Sequence, residues 1–409
     1  MTDSVPSRSR TLALTFIFIT VLLDSIGFGI ILPVMPQLIM EVTGEGLGRA
    51  AVVGGWLLFL YAGMQFFFAP ILGNLSDRFG RRPVLLISLL AYGMNYLLMG
   101  WAPTLMWLVV GRIIAGSASS TYSIANAYIA DIFEPHERAK NFALMGAAFG
   151  GGFILGPVLG GFLGEMGSRV PFYATAGIAL ANAVFGFFVL PETLAKENRR
   201  KFDWTRANPL GALRHLRKYP IVFGLVVAYF FFLVGHQALP AVWSYYTIAR
   251  FDWSQSEIGL SLGFVGVMMM LCQAFLIRWF INNYGPVKTA YVGLTCATIS
   301  LTGYAFATEG WMVYMFLFVG AAQGFLGPAV QGIMSGRVPA NAQGELQGAL
   351  GSVASLAAIV SPPVMTGVFG YFTAVDAPMY FPGASYLLAA LLTLLSFVLF
   401  VPYLKSDQR

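Results

Sequence analysis

One acidic residue stands alone in the first long apolar segment of the sequence. Asp24 lies between Leu12 and Ile39, a stretch that contains no other charged residue. A charged side chain at the centre of a bilayer costs roughly 2.5–3.5 kcal/mol on insertion scales, so it persists by facing water, binding a proton or pairing. We therefore predict that Asp24 takes up and releases a proton, with a purely structural hydrogen bond as the alternative.

Arg112 is the one basic residue that falls within an apolar segment. Counted from their helix ends at about 1.5 Å per residue, Arg112 and Asp24 each lie about 12 Å below the outer membrane face. A guanidinium group keeps its proton in proteins, so Asp24 would be the titratable member of the two. The equal depth predicts that each charge influences the other, and a static ion pair is the alternative.

A charged string follows the second apolar segment, where residues 73–83 read GNLSDRFGRRP. Its first glycine would allow a helix to approach closely, and Gly80 would permit a tight turn. Asp77 and Arg81 could form a latch, either with each other or with Asp131; an ordinary solvated loop is the alternative. The candidate latch residues are Gly73, Asp77, Arg78, Gly80, Arg81 and Asp131.

Closely spaced glycines mark the fifth apolar segment, where the residues from 152 to 161 read GFILGPVLGG. Small residues four positions apart form a helix face on which another backbone can pack closely. Packing alone would be enough to explain the pattern. The residues concerned are Gly152, Gly156, Pro157, Gly160 and Gly161.

Uncharged polar and aromatic side chains within the apolar segments are the candidates for contacting a ligand. Ligand pockets combine apolar walls with a few polar groups, although most residues of this kind pack between helices or face lipid. His236 could also titrate near neutral pH. The candidates are Tyr61, Gln65, Asn95, Tyr122, Asn126, His236, Gln237, Gln273, Gln323 and Gln331.

The composition of the chain indicates that membrane-spanning helices hold these charged and polar residues. The 409 residues are 57% hydrophobic and 10% charged, whereas soluble proteins average about 25% charged residues. Many apolar runs approach the ~20 residues that a membrane-spanning helix needs. We predict an all-α polytopic protein with twelve spans, near residues 12–39, 50–72, 83–101, 104–131, 138–164, 171–191, 220–246, 256–281, 287–307, 310–335, 341–371 and 380–404.

Basic residues fall mostly on one side of the predicted membrane. If both termini are cytoplasmic, the opposite side carries only Arg49, Arg169 and Arg250. The other Lys and Arg residues, apart from Arg112, lie at cytoplasmic ends, which is the pattern that sets orientation in membrane proteins. The distribution predicts an even number of spans with both termini in the cytoplasm.

The chain divides into two similar halves around a basic linker. Gly80 and Gly285 follow the second helix of each half, and Gly156 and Ser361 lie in the fifth helices at the same separation of 205 positions. Parallel repeats of this kind place a substrate site between the halves, near the midplane. The linker is predicted to hold a helix on the cytoplasmic surface of the membrane, with a partner-binding element as the alternative. The predicted divisions are 1–194, 195–219 and 220–409.

Other classes of function have no support in the sequence. It contains no P-loop motif and no metal-ligand cluster, and Cys272 and Cys296 lie in separate apolar segments. The net charge of +6 follows the membrane pattern, so it does not indicate nucleic acid. We predict no enzymatic activity, no metal and no cofactor other than a proton gradient, with protons, lipid and a small molecule as partners.

Three of these strings resemble motifs of the major facilitator superfamily. Residues 73–83 resemble its loop motif, and residues 111–116, GRIIAG, resemble its helix-four motif, which is associated with proton coupling. Residues 152–161 resemble the motif of its antiporter branches. The resemblance implies two pseudo-symmetric six-helix bundles and export by exchange. Residues 282–285, NNYG, have lost the acid and the arginine of the first loop, so any latch would be asymmetric.

Further strings, covering nearly the whole chain, resemble the tetracycline/proton antiporter family. They are residues 128–131, Trp243 with 250–253, residues 273–275, 331–335 and 346–348. By this resemblance the functional charges would be Asp24, Asp77, Arg112 and Asp131, with Gln65 as a cavity residue.

The sequence also departs from that family. The Gram-negative tetracycline exporters carry an acid in helix three, a histidine in helix eight and an acid in helix nine. Asn95, Met269 and Ala297 stand at those positions here. Proton coupling therefore cannot run through them, and the polar contacts that hold a metal-chelated drug are changed.

These observations predict a proton-coupled antiporter that exports a small amphipathic or drug-like compound by alternating access. The resemblance implies a bacterial inner membrane and a monomer. A proton symporter or uniporter for a native metabolite is one alternative. A non-transporting receptor or assembly factor with the same fold is another.

Overall fold

The computed structural model describes residues 7–203 and 218–405, which form helices joined by short connections and no β-strand. The first half contains α1 (Ser7–Ile30), α2 (Met35–Thr43), α3 (Leu47–Phe79), α4 (Arg81–Trp101), α5 (Leu105–Ala118), α6 (Thr121–Ile132), α7 (Pro135–Glu165) and α8 (Val170–Val189). The second half contains α9 (Pro220–His236), α10 (Ala238–Phe251), α11 (Gln255–Leu271), α12 (Ile277–Phe306), α13 (Gly310–Gly320), α14 (Leu326–Ser335), α15 (Gln343–Thr373) and α16 (Ala384–Lys405).

Ten helical segments of the described chain are long and apolar enough to cross a membrane. One of them, Gln255–Phe306, has 52 residues and would measure about 78 Å, far more than the ~30 Å of a bilayer core. It turns back at Gly285, where φ is 76°, and so supplies two spans. Helices α5 and α6 together supply one more, interrupted at residues 119–120. The predicted twelve spans are therefore present in the described residues.

Several spans that the sequence predicted as continuous helices are interrupted. The first is broken between Ile30 and Met35, around Pro33, which has no backbone N–H to continue a helix. The eighth span contains a π-helical segment, Cys272–Leu276, and the tenth a 3-10 segment, Ala321–Phe325. Hydropathy does not reveal such breaks because the broken segments stay apolar. Membranes tolerate irregular backbone where it is buried in protein or lines a cavity.

The glycine face of α7 packs directly on the backbone of α1. A Cβ added at Gly152 would lie 2.6 Å from the Leu22 carbonyl oxygen, and one at Gly156 would lie 2.6 Å from that of Ile26. Gly160 meets the α1 backbone in the same way. The close packing predicted for this face is therefore confirmed, and any larger side chain would push the two helices apart.

Contacts divide the chain into two units. The first comprises Met1–Thr43, Leu60–Asn208 and Gln255–Gly263, and the second comprises Gly44–Phe59, Pro209–Ser254 and Phe264–Arg409. The predicted division at 1–194, 195–219 and 220–409 stays a prediction. The surface helix predicted in the linker falls on residues 204–217, which lie outside the described part of the chain.

Candidate functional site

Asp24 lies in the C-terminal half of α1 (Ser7–Ile30), where two neighbouring helices reach it. The Tyr92 hydroxyl of α4 donates a hydrogen bond to the Asp24 backbone carbonyl (2.9 Å) and accepts one from the Tyr96 hydroxyl (2.9 Å). Thr121, the first residue of α6, interacts with the Asp24 side chain. The carboxyl Oδ1 is enclosed and accepts no hydrogen bond from any residue that the structure describes. Asp24 thus has spare capacity to bind a proton or a donor group.

Arg112 of α5 is buried, with 5% of its surface exposed, although it carries a permanent charge. Its guanidinium lies 3.7 Å from the Met35 sulfur, at the point where α2 begins. The hydroxyls of Tyr61 and Tyr96 each interact electrostatically with both Asp24 and Arg112. The two charges therefore share one polar neighbourhood within the first unit.

The break between α5 and α6 supplies the polar groups that face this neighbourhood. Ser119 has a non-helical backbone, and its hydroxyl bonds to the Tyr61 hydroxyl (2.8 Å) and to the Gln65 amide nitrogen (2.9 Å). Both α3 residues were predicted from the sequence, and the structure brings them together on Ser119. The interruption thus turns a short serine-rich stretch into a bridge between α3 and α5.

Arg81 connects two acids at the turn between α3 and α4. Its Nη1 lies 2.5 Å from Asp77 Oδ1, and its Nε lies 3.1 Å from Asp131 Oδ2. Gly80 makes the turn with φ 105°, a conformation that side chains rarely adopt. Arg78 instead stacks its guanidinium on the Phe79 ring at 5.0 Å. The geometry fits a latch, whose role in transport stays a prediction.

Glu192 completes this turn. Its Oε1 accepts hydrogen bonds from the backbone N–H groups of Arg81 (2.9 Å), Thr193 (3.0 Å) and Leu194 (3.0 Å). A Cβ added at Gly80 would collide with the Glu192 carboxyl group. The turn is therefore built around the partly buried Glu192 carboxylate as well as around the Arg81 ion pairs.

Gly73 was expected to pack closely against another helix, but no described helix lies against it. A Cβ at this position would meet nothing within 4 Å. The Gly73 carbonyl instead accepts a hydrogen bond from the Ser76 hydroxyl at 2.7 Å. The expectation was wrong for this conformation, because a glycine inside a helix does not by itself identify a neighbour.

Polar candidates of the second unit form two pairs. His236 Nδ1 lies 3.2 Å from Gln323 Oε1, inside the 3-10 segment, and Gln331 donates to Gln347 at 2.9 Å. Gln273 lies in the π-helical segment, where a Cβ on Gly324 would lie 3.5 Å from its amide nitrogen. These contacts are uncharged, in contrast to the Asp24 region.

The remaining candidates make other contacts. Asn95 is buried and its amide lies 3.9 Å from the Met99 sulfur. Tyr122 is exposed and packs edge-on against Phe149, Asn126 is half-buried, and Gln237 lies at the junction of α9 and α10. The structure therefore does not gather the whole predicted set into one cluster.

Sequence reasoning missed several residues that complete the site. Tyrosines in an apolar helix resemble residues that only pack. The four-residue spacing of Tyr92 and Tyr96 in α4 was the one sign that they share a helix face. The run SASSTYS at 117–123 could have indicated the helix break, because Ser and Thr side chains compete for backbone hydrogen bonds. The missed residues are Tyr92, Tyr96, Ser119, Thr121 and Glu192.

The positions that depart from the tetracycline exporters are uncharged; Asn95 and Ala297 are buried and Met269 is half-buried. Ala297 is fully buried, and Met269 lies beside Gly324. No group of three His, Cys, Asp or Glu side chains that could hold a metal ion occurs among residues 7–203 and 218–405. Asp24 and Arg112 are therefore the charged residues within the spans to which the predicted proton coupling is assigned, and His236 is the ionisable candidate of the second unit.

Comparisons with known proteins agree on the family of this chain. The Major Facilitator Superfamily model matches residues 17–362 and 250–409. The class C tetracycline resistance protein of Escherichia coli is 39% identical over 87% of this chain and 89% of its own length. The class H protein of Pasteurella multocida is 34% identical over 93% of both chains.

A solved structure supports the same fold. The human organic anion transporter MFSD10 superposes with a TM-score of 0.70 and 24% identity, covering 97% of this chain and 100% of that one. At 24% identity this similarity shows the fold alone. The two tetracycline resistance proteins, at 39% and 34% identity, show the family. The chain therefore belongs to the Major Facilitator Superfamily of membrane transporters and, within it, to the tetracycline resistance protein family.

Proposed function

We propose that this protein is a proton-coupled antiporter that exports a small amphipathic or drug-like compound, with Asp24 as the proton carrier. The observation that carries the proposal is the enclosed Asp24 Oδ1, which accepts no hydrogen bond from the described residues. A buried acceptor of this kind is costly while it lacks a partner, and a proton or a substrate donor would remove the cost.

Arg112 would help to change the protonation state of the Asp24 carboxyl group during transport. Its charge is permanent, and Tyr61 and Tyr96 interact with both it and Asp24. A small shift of α1 relative to α5 would change how strongly the cation favours the ionised carboxylate. In this cycle Asp24 binds a proton from the outer side, releases it inward, and binds substrate preferentially when ionised.

The proton gradient is the proposed source of energy. We place the protein in the bacterial inner membrane as a monomer because its relatives are bacterial resistance proteins of this fold. The distribution of basic residues supports an orientation with both termini and the Gly80 turn in the cytoplasm. One charge moving down about 100 mV supplies about 2.3 kcal/mol, enough for roughly fifty-fold accumulation. The ion pairs of Arg81 would hold the cytoplasmic ends of the first-half helices in one of the two access states.

The proposed substrate lacks the chelated metal of a tetracycline. Relatives are named for tetracycline resistance, but Ala297 and Met269 offer no charge at the two second-half positions where this sequence departs from the tetracycline exporters. His236, Gln323 and Gln331 offer neutral hydrogen bonds beside aromatic side chains such as Phe232, which stacks on His236 at 5.7 Å. Such groups suit a bulky, amphipathic organic molecule.

The test is proton release from acidified everted vesicles on addition of a panel of amphipathic drugs, including a tetracycline. We expect Asp24→Asn to reduce substrate-driven proton flux to the level of vesicles without the protein. Asp252→Asn is the matched control, because it makes the same change in a turn where φ is 55°, which asparagine tolerates. Full proton flux with Asp24→Asn would refute the proposal, and inward movement of both substrate and proton would indicate symport.

A further inference from the structure

Arg82 is the second residue of α4 and joins the start of that helix to the end of α8. Its Nη2 donates a hydrogen bond to the Phe187 carbonyl oxygen at 2.6 Å, and its guanidinium carbon lies 5.6 Å from the centre of the Phe187 ring. The Nε atom is enclosed, so Nη1 is the guanidinium nitrogen that is left for a ligand. Arg82 therefore lies where two spans reach the same membrane surface.

Arg82 forms no ion pair with any acid in the part of the chain that the structure describes. The neighbouring acids Asp77 and Asp131 are bound to Arg81, and the Glu192 carboxylate accepts hydrogen bonds from backbone N–H groups of the turn. A guanidinium group keeps its positive charge in proteins. The acids of this helix end are therefore engaged elsewhere, and the Arg82 charge is left for an anion from outside the chain.

An exposed apolar face runs along α4 and α8 from Arg82 toward the middle of the two spans. The helices pack closely side by side, because a Cβ added at Gly93 of α4 would lie 2.7 Å from the Leu180 side chain of α8. Residues three, four or seven positions apart share one side of a helix. In a bilayer, such a face contacts acyl chains. The side chains with this spacing that are more than half exposed are Ile87, Leu90 and Met94 in α4, and Val184, Phe187 and Phe188 in α8.

The charge of the linker argues against the linker as the occupant of this face. Residues 204–217 carry Arg206, Arg214 and Arg217 and no acid. Like charges repel each other, so this segment would not neutralise Arg82. The combination of one unpaired cation with a long exposed apolar face instead matches an amphiphile that has an anionic head.

We propose that an anionic phospholipid binds here, with its phosphate group on the Arg82 guanidinium and its acyl chains along the exposed face of α4 and α8. Arginine is well suited to binding phosphate, and basic residues at the ends of spans attract anionic headgroups. The placement of this lipid in the inner leaflet rests on the orientation proposed above, whereas the site itself does not. No residue of the site belongs to the proton site or to the predicted substrate set.

The test is native mass spectrometry of the full-length protein in detergent, titrated with dioleoyl phosphatidylglycerol or dioleoyl phosphatidylcholine. The two lipids have the same acyl chains and differ in headgroup charge. We expect the wild type to bind the first phosphatidylglycerol about five-fold more tightly than phosphatidylcholine, and Arg82→Gln to lose this preference. Arg138→Gln should keep it. Arg138 is the matched control because it is also half-buried and donates to a backbone carbonyl, that of Phe133, at 3.0 Å.

Two further measurements test the apolar face and the source of the phosphate. Phe187→Ser should weaken the binding of both lipids, whereas Phe162→Ser, at a side chain of α7 that is 53% exposed, should weaken neither. Excess inorganic phosphate should not displace phosphatidylglycerol from the wild type. Displacement would indicate a site for the free ion and overturn the proposal, as would undiminished lipid binding by Phe187→Ser.

The arginine variants decide the headgroup contact. An unchanged preference in Arg82→Gln would leave Arg82 to another occupant, such as residues 204–217, and overturn the proposal. Equal losses in Arg82→Gln and Arg138→Gln would show a general effect of net charge and also overturn it. If Arg82→Gln does not fold, Phe188→Glu places a competing carboxylate at a side chain that is 78% exposed. This variant should lose the preference for phosphatidylglycerol, and Phe188→Gln should keep it.

Discussion

The two halves of the chain make the same turn with different chemistry. Gly80 and Gly285 occupy equivalent positions and have φ values of 105° and 76°. Gly80 lies against the Glu192 carboxyl group, whereas a Cβ on Gly285 would meet nothing within 4 Å. Among the residues that the structure describes, the second turn shows neutral contacts, such as the hydrogen bond from Asn283 to the Trp279 carbonyl at 2.8 Å. The fold therefore needs the backbone of this turn but not its charges.

The same contrast holds inside the spans. The first half carries Asp24 and Arg112 in one polar neighbourhood, whereas His236 and Gln323 form a neutral pair in the second half. Ala297, where related exporters have an acid, is fully buried in the apolar core of the second half. This contrast supports our proposal that ion coupling belongs to the first half and that ligand recognition draws on neutral groups of the second.

The largest effect is expected from a charge introduced into the buried core of the second half. Ala297→Asp should prevent stable folding, because Ala297 is 0% exposed among apolar neighbours and an unpaired buried charge costs several kcal/mol. Ala297→Asn introduces a side chain of the same size as aspartate but without its charge, so this variant should be destabilised less than Ala297→Asp. Fluorescence size-exclusion chromatography after heating would measure both. A stable, transport-active Ala297→Asp protein would show that the second half can still accommodate an acid.

Removing the charge of the first turn should have the next largest effect. Arg81→Gln leaves Asp77 and Asp131 facing each other without their shared cation. We expect transport to fall by roughly ten- to a hundred-fold, which corresponds to about 1.4–2.8 kcal/mol. This is at the low end of the cost of breaking a buried charge pair, because both acids are partly exposed to solvent. Arg278→Gln, at an exposed residue near the second turn, is the control. Equal transport by the two variants would argue against a latch.

The glycines of the two turns provide a matched pair. Gly80 (φ 105°, ψ 159°) and Gly285 (φ 76°, ψ 166°) adopt a backbone conformation that is essentially restricted to glycine. Holding an alanine there costs about 1–3 kcal/mol, so both variants should melt at lower temperature. Gly80→Ala must also displace Glu192 and the backbone amides bound to it. We expect Gly80→Ala to lose several-fold more transport than Gly285→Ala at equal expression. The reverse order would show that the second turn matters more.

The sequence predicted the fold well because twelve apolar stretches and the distribution of basic residues leave few alternatives. It also found Asp24 and Arg112, since a charge is conspicuous among apolar residues. It did not find Glu192, which lies just after a span where acids are common. It could not place the substrate residues either, because interruptions such as those at Ser119 and Gln323 rotate the following helix face, and hydropathy carries no trace of them.

The smallest expected effect lies in the neutral pair of the second half. His236→Phe keeps the stacking on Phe232 and removes the hydrogen bond to Gln323. One hydrogen bond contributes about 0.5–1.5 kcal/mol, so the apparent substrate affinity should weaken by about two- to ten-fold while the protons moved per substrate stay unchanged. His136→Phe, at a side chain 76% exposed, is the control. A change in the proton ratio would place coupling in both halves and remove the contrast between them.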